Sequence, residues 1–506
     1  MRIALASSEV VGFAKTGGLA DVVGSLPPAL EKLGHQAAVF LPLYNSVRQK
    51  VALQATPHRL RVLVGDEWVE GGIQQAKIPG SQVPVYLIEN PALFERDNAA
   101  FGRGIYQFAS SDGWKKDYPD NSARYLFFCR AVLQALPLLN FWPEVLHCND
   151  WQTGLIPVLL KKQFASADNQ ELAEKYRRIR TLMTIHNIAY QGNFWKEDMN
   201  MCRLDWRLFN PSGVEFNDCL SFLKAGMVFA DRLNTVSPTY AKEIQTPYFG
   251  CGLQGVLLER SADLSGIVNG IDYQSWNPAT DPELPAHFDA LLIDPGKAAC
   301  KEALQKEFHL PVDPRAPLAG MVARLVEQKG LELIAEAGGR LLATGMQFVV
   351  LGEGDSRYHL ALENLRREFP SQVALQFGFN EGLAHRIEAG ADLFLMPSLY
   401  EPSGLNQLYS MRYGALPLVR GTGGLADTVT DTKEKTLANG TATGFRFQAY
   451  SPEALVETLQ RALSLYRNHP ATWRQVQINA MKQDWSWERS AREYQDLYLQ
   501  MANSLH

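Results

Sequence analysis

The sequence predicts an α/β protein built from two doubly wound parallel sheets, each covered by helices. Three observations carry that expectation. Short apolar runs alternate with helix-like stretches through the first half, and the same rhythm restarts in the second. The polar residues best suited to chemistry fall just after apolar runs, where open α/β sheets bind ligands. At 506 residues the chain exceeds what one hydrophobic core usually supports, so at least two domains are expected.

In the first half the strand-like runs are Ile3 to Ala6, Ala37 to Leu41, Val85 to Ile88, Val145 to Cys148, Thr181 to Ile185 and Arg232 to Val236, with helix-like stretches such as Leu19 to Leu33 and Ser122 to Leu136 between them. The second half repeats the pattern at Leu318 to Val322, Phe348 to Leu351, Val373 to Phe377, Leu393 to Met396 and Leu416 to Val419. From Asn269 to Pro295 periodicity is poor and turn signals cluster. That places the boundary near Gly266, with a first domain over 1–265 and a second over 266–480. The segment Trp485 to Met501 reads as an amphipathic helix that docks on its own domain or reaches back to the other.

Composition excludes several classes. A net charge of −5, with no basic run interleaved by aromatics, argues against a nucleic-acid partner. No run of about 18 apolar residues predicts a membrane span, and Ser7, Ser8 and Glu9 interrupt the first apolar run too soon for a signal segment. Six scattered cysteines without a CxxC pair fit buried thiols in a reducing compartment, and neither a disulfide scaffold nor a zinc site. The expectation is a cytoplasmic protein, or a plastid one whose transit peptide has been removed, with no membrane partner, no metal and no cofactor.

The stretch Lys15-Thr16-Gly17-Gly18-Leu19-Ala20-Asp21 follows the first strand-like run and opens a helix-like one. Its glycines let backbone N–H groups approach a phosphate, and Lys15 adds a point charge. Alone it is weak, because a Gly-Gly pair is often only a helix-entry turn. An echo, Thr422-Gly423-Gly424-Leu425-Ala426-Asp427, follows the apolar run Leu416 to Val419.

Further polar groups sit after other runs. His147 and Asp150 follow Val145-Leu146; for His147 a hydrogen-bonded structural role is the simpler reading. His186 shares its loop with Asn187, Tyr190 and Gln191, donors and acceptors suited to sugar hydroxyls. Arg324 at a strand end and Lys329 at the next helix start suit a diphosphate that gains charge as a bond breaks. The most informative stretch runs from Met396 to Gln407: a strand ends, Glu401 lies beside Pro402, and Gly404 starts a helix whose free N–H groups can hold an anion. A carboxylate beside that anion would suit an oxocarbenium-like sugar centre.

Together, Lys15 to Leu19, His186-Asn187-Ile188-Ala189-Tyr190-Gln191-Gly192, Asn269-Gly270-Ile271-Asp272, Arg324 with Lys329, Glu401-Pro402-Ser403-Gly404-Leu405 and Thr422-Gly423-Gly424-Leu425 resemble the bacterial glycogen synthase and plant starch synthase family. The likeness spans residue 1 to about 500, with the motifs in order. It implies a GT-B architecture, two Rossmann-like domains facing a deep interdomain cleft, and metal-independent, retaining transfer of glucose from ADP-glucose to the non-reducing end of glycogen or another α-1,4-glucan. It also implies that the segment 481–506 returns to the first domain. Carried over by position, Arg324, Lys329, Glu401 and His186 are the catalytic candidates. Lys15, Gly18, Asp150, Asn269, Phe379, Ser403, Gly404, Leu405, Asn406, Thr422 and Gly423 are expected on the donor side, with Phe379 against the adenine. Glu9, Asp21, Tyr106, Tyr190 and Gln191 are expected on the acceptor side. Ser403 and Phe379 stand where many bacterial members carry Cys and Tyr.

Three alternatives stay open from the residues alone: UDP-glucose as donor, a glucan-binding homologue without catalysis, and a nicotinamide oxidoreductase. The last is disfavoured because neither half opens on G-x-G-x-x-G. Oligomeric state cannot be read from the chain.

Overall fold

The protein is described by a computed structural model that covers residues 1–96, 104–109 and 115–503. The described residues form two compact units. The first draws on Met1–Val236, Ala241–Ile267 and the chain from Trp487 onward; the second comprises Ser237–Tyr240 and Val268–Ser486.

The first unit is built on a nine-stranded sheet: β1 (Arg2–Ala6), β2 (Gln36–Pro42), β3 (Gln54–Val64), β4 (Glu67–Lys77), β5 (Pro84–Glu89), β6 (Val145–Asn149), β7 (Arg180–Ile185), β8 (Arg232–Thr235) and β9 (Leu264–Gly266). Their spatial order is β9-β8-β7-β6-β1-β2-β5-β4-β3. From β9 to β5 every pairing is parallel. These strands read as apolar runs because helices bury both faces of a parallel sheet, as the fully buried β6 shows.

At the β5 edge the sheet carries two further strands beyond the doubly wound parallel run. Strands β3 and β4 form an antiparallel hairpin that adds antiparallel to β5. Residues 54–77 carry only a weak strand signal, because β3 is exposed on alternate residues and carries His58, Arg59 and Arg61 among its apolar positions. The signal was a two-residue Gly65-Asp66 loop between alternating runs, with Gly65 at φ +62°.

Helix α1 (Gly18–Lys32) follows β1 and continues through Pro27 and Pro28, each of which removes an N–H from the helical ladder. Burial of Val22, Val23, Leu26, Ala29 and Leu30 on one side holds it together. Helix α2 (Asn121–Leu138) precedes β6, and its fully buried Arg124 donates to the carbonyls of Leu93 and Ile105.

The second unit carries a six-stranded, all-parallel sheet: β10 (Leu318–Leu325), β11 (Gln347–Gly354), β12 (Val373–Phe377), β13 (Leu393–Met396), β14 (Leu416–Arg420) and β15 (Phe445–Phe447), in the order β12-β11-β10-β13-β14-β15. Its helices include α3 (Leu331–Leu342), α4 (Asn406–Arg412) and α5 (Gly423–Thr428). One core cluster on this sheet joins Met321, Phe348, Leu395 and Leu418 to Ile334 of α3 and Leu408 of α4.

The last helix, α6 (Trp487–Asn503), belongs to the first unit, where it packs on α1 and β6. Tyr498 meets His147 Nδ1 at 2.8 Å, Asn234 donates to Tyr494 at 3.2 Å, and Lys32 pairs with Glu488 at 2.7 Å.

Candidate active site

In the first sheet the chain winds outward from β1 through β2, then starts β6 on β1's other side, so the topological switch lies between β1 and β6. The loops leaving those strands at their carboxyl ends are where such a sheet binds ligands. The loop after β1 carries Glu9, which is 3% exposed. Its Oε2 accepts from Thr16 N–H at 2.5 Å and Gly17 N–H at 3.1 Å, while Oε1 accepts from Thr16 Oγ1 at 2.6 Å and Tyr106 OH at 2.8 Å. Both oxygens are therefore engaged in shaping the turn ahead of α1. Tyr106 also meets Ser8 Oγ at 2.7 Å. Lys15 pairs with Asp21 at 2.6 Å, so two residues assigned to different sides of the reaction form one ion pair here.

After β6 the backbone turns at Asp150, with φ +56°. Asp150 is 8% exposed, and its carboxylate accepts His186 N–H at 2.7 Å. Burial, reinforced by Glu9 and opposed by the N–H bonds from His186 and Asn187, pushes Asp150 up to about 7. His186 leaves β7 and holds Asn149 Oδ1 at 2.9 Å through Nε2; burial lowers it to about 3, so the imidazole is neutral. Asn149 Nδ2 donates to Ala6 O, which leaves its Oδ1 as acceptor and fixes the proton on His186 Nε2. The structure thus joins Asp150 to His186 and Glu9 to Tyr106. Tyr190 is 52% exposed, and Gln191 donates to the carbonyl of Cys251 at 2.9 Å. His147, buried and bonded to Thr184 and Tyr498, is a structural histidine.

In the second sheet the switch lies between β10 and β13. Arg324 at the end of β10 is exposed and has no ion-pair partner among the described residues. Three residues on, the 3-10 turn Glu327–Lys329 begins, and it brings Lys329 Nζ to 2.5 Å from Glu401 Oε2, which Ser398 Oγ also approaches at 3.2 Å. Glu401 is 5% exposed. The turn is locked onto the loop after β13, because Gly330, at φ +72°, lies against the carbonyl of Pro397 and Leu399 N–H donates to Gln328 O at 2.9 Å.

The loop after β13 differs from the sequence expectation at one residue. Gly404 does not start the helix: α4 begins at Asn406, and Gly404 sits two residues earlier at φ +69°, a left-handed conformation suited to glycine. Asn406 turns its side-chain amide back to Val322 O at 2.5 Å. Ser403 Oγ donates to the carbonyl of Gly404 at 3.4 Å.

The two Thr-Gly-Gly-Leu-Ala-Asp copies sit in different surroundings. A methyl group on Gly17 or Gly18 would meet nothing within 4 Å, whereas one on Gly423 would strike Glu401 O and one on Gly424 would strike Ser403 O. The second copy's glycines, with Thr422 as the residue before α5, let that helix abut the Glu401 loop, and Gly424 N–H donates to Glu401 O at 3.1 Å. Its last residue, Asp427, accepts Thr239 N–H at 2.9 Å. Asn269 is buried with its Oδ1 unpartnered among the described residues, and Phe379 is 88% exposed. Sequence reasoning missed Ser398, Gln407 and Thr428 as supports of this loop; the first two lay inside a stretch already singled out. Among the described residues no cluster of His, Cys, Asp or Glu could hold a metal ion.

Residues 2–259 match the starch synthase catalytic domain family, and residues 304–479 match the group 1 glycosyl transferases. With two doubly wound sheets and polar clusters at both switch points, the class is a glycosyltransferase of the GT-B fold. The catalytic domain of starch synthase IV from Arabidopsis thaliana, bound to ADP and acarbose, superposes with a TM-score of 0.87 at 33% identity over 99% of each chain. A sucrose-phosphate synthase from Thermosynechococcus elongatus, at 17% identity and a TM-score of 0.57 over 99% of each chain, shares the fold. Glycogen synthase from Anaeromyxobacter dehalogenans is 48% identical over 507 residues, covering 99% of both chains, and that from Syntrophotalea carbinolica is 46% identical over 98% of both. The chain belongs to the glycogen synthase and starch synthase family.

Proposed function

We propose that this protein transfers glucose from ADP-glucose to the non-reducing end of an α-1,4-glucan, with retention of configuration and without a metal ion. The observation that carries the reading is the Lys329–Glu401 ion pair at the second unit's switch point, with Arg324 at the end of β10 unpaired among the described residues. Two cations at a strand end suit a leaving diphosphate. A carboxylate held beside them by Lys329 and Ser398 suits the sugar centre. The Arabidopsis relative bound to ADP and acarbose supports a nucleoside diphosphate and a saccharide as ligands.

Retaining hydrolases place two carboxyl groups about 5 Å apart. The family motifs offer one acid here, Glu401, and it is already tied to Lys329. We therefore favour a front-face route, in which the departing phosphate takes the proton of the incoming 4-hydroxyl. Arg324, Lys329 and the backbone N–H groups of Gly404 to Asn406 stabilise the charge left on ADP. His186, neutral and positioned by Asn149, and Asp150 are assigned to the hydroxyls of the transferred glucose, and Asn269 is assigned to the same sugar. Phe379 supplies a ring face to the adenine, and Lys15 exchanges Asp21 for a donor phosphate. Glu9 and Tyr106 serve the acceptor side by fixing the turn ahead of α1, with Tyr190 and Gln191 nearer the glucan. A cytoplasmic setting belongs to this proposal; among the described residues no helix is long and apolar enough to cross a membrane.

The test is incorporation of labelled glucose into glycogen from ADP-glucose and from UDP-glucose, each with EDTA present. Turnover with ADP-glucose in EDTA is expected. A strong preference for UDP-glucose would overturn the donor, and no transfer from either would favour a binding protein.

A further inference from the structure

Gln407 is fully buried in the first turn of α4, and its side-chain amide is used from one end only. Nε2 donates to the carbonyls of Ser403 at 3.0 Å and Gly404 at 3.1 Å, and approaches Thr428 Oγ1 at 3.2 Å. Oε1 is buried without a partner among the described residues. Turning the amide over would set its oxygen against two carbonyl oxygens, so the orientation is fixed by the Ser403–Gly404 backbone. Thr428, whose hydroxyl donates to Gly424 O at 2.6 Å, links the same amide to the Gly423–Gly424 turn. A buried amide retained with one end unsatisfied calls for an explanation beyond packing.

The consequence follows from peptide geometry. In a trans peptide the carbonyl of one residue and the N–H of the next point in opposite directions. Drawing the carbonyls of Ser403 and Gly404 inward therefore turns the N–H groups of Gly404 and Leu405 outward. Neither N–H has an acceptor among the described residues, and residues 404–406 are partly exposed while 403 and 407 on either side are buried. Gly404 is left-handed at φ +69° and Leu405 right-handed at φ −119° and ψ −30°. Successive residues of opposite hand make adjacent N–H groups converge into a nest that binds anions.

The geometry points to Gln407 as a positioning residue: it builds a two-donor anion nest at Gly404 and Leu405 that takes the diphosphate, without touching the ligand itself. This deepens the proposed function and rests on the reading that the Glu401 loop holds the leaving ADP. It assigns Thr428 the same role at one remove.

The experiment is calorimetric titration of the full chain with ADP and, separately, with adenosine. Wild type should bind ADP more tightly than adenosine. Gln407→Leu removes the amide at similar volume and should weaken ADP by about tenfold or more, the usual weight of a hydrogen bond to a charged group, while adenosine stays within about twofold. If that variant does not fold, Thr428→Val carries the same comparison with a smaller loss expected for ADP alone. ADP affinity within about twofold of wild type, or equal weakening of both ligands, would overturn the positioning role and leave the diphosphate reading standing. A wild type that does not distinguish ADP from adenosine would remove both.

Discussion

The ammonium of Lys329 lies 2.5 Å from Oε2 of Glu401, and only 18% and 6% of the two side chains are exposed. Their strands, β10 and β13, are neighbours in the sheet although 72 residues separate the pair in sequence. Removing one member of such a pair leaves the other charge buried and unmatched.

Lys329→Ala is therefore expected to lower stability by about 3 kcal/mol, and adding Glu401→Ala should recover part of that loss. Urea unfolding of the two single variants and the double variant measures the coupling. Additive losses would show that the ion pair is not energetically linked.

For the chemistry, Arg324→Ala should cut kcat by roughly 10² or more, by analogy with losing one preorganised donor to a developing charge. Arg324 is exposed and unpaired among the described residues, so its loss should leave the melting temperature unchanged. Steady-state kinetics with ADP-glucose checks it, and a change under about threefold removes the residue from the diphosphate site. Glu401→Ala should nearly abolish incorporation of labelled glucose.

The paired glycines allow a comparison in which packing and ligand approach separate. Gly424→Ala should destabilise the fold and displace the Glu401 loop, because the new methyl meets Ser403 O. Gly18→Ala has open space around it and should fold as well as wild type. If phosphate approaches that turn, its KM for ADP-glucose rises while its thermal stability holds; an unchanged KM would take Gly18 off the donor.

Phe379 is 88% exposed, so Phe379→Ala should cost nothing in stability. A stacked base is worth about 1–3 kcal/mol, which predicts a rise of roughly fivefold or more in the ADP-glucose KM. Tyr at this position should preserve the wild-type value.

His147 makes stability pH-dependent. Burial lowers it from 6.5 to about 3, so the unfolded chain binds a proton in that window that the folded chain does not. Stability from this group is present above pH 6.5 and is lost as the pH falls toward about 3, at a slope near 1.4 kcal/mol per pH unit. Asp150, raised to about 7, acts in the opposite sense between 3.8 and that value, so His147→Gln must be compared with wild type at each pH. The variant should show a flatter acid limb in urea titrations; parallel curves would exclude His147 as its source.

Strand positions were legible because parallel strands buried on both faces are continuous apolar runs, and the fully buried β13 falls on the residues expected of it. The β3–β4 hairpin was not, because one half-exposed strand of an edge hairpin lacks that contrast. Motif residues were legible as types in an order. Their partners were not: nothing local to Glu9 announces that it is saturated by Thr16, Gly17 and Tyr106, and nothing local to Gln407 announces its orphaned oxygen.

By itself the sequence determined the two-sheet architecture, the family, and the loops that hold the polar residues, since periodicity and short motifs are properties of neighbouring residues. Only the tertiary structure decided that two identical six-residue turns stand in different surroundings, one open and one pressed against the Glu401 loop. It also decided that Gly404 precedes its helix in a left-handed turn and that α6 packs on α1. Those outcomes depend on which distant backbone or side chain comes to lie a few ångströms away, and hydrogen bonding and close packing act through space without regard to separation along the chain.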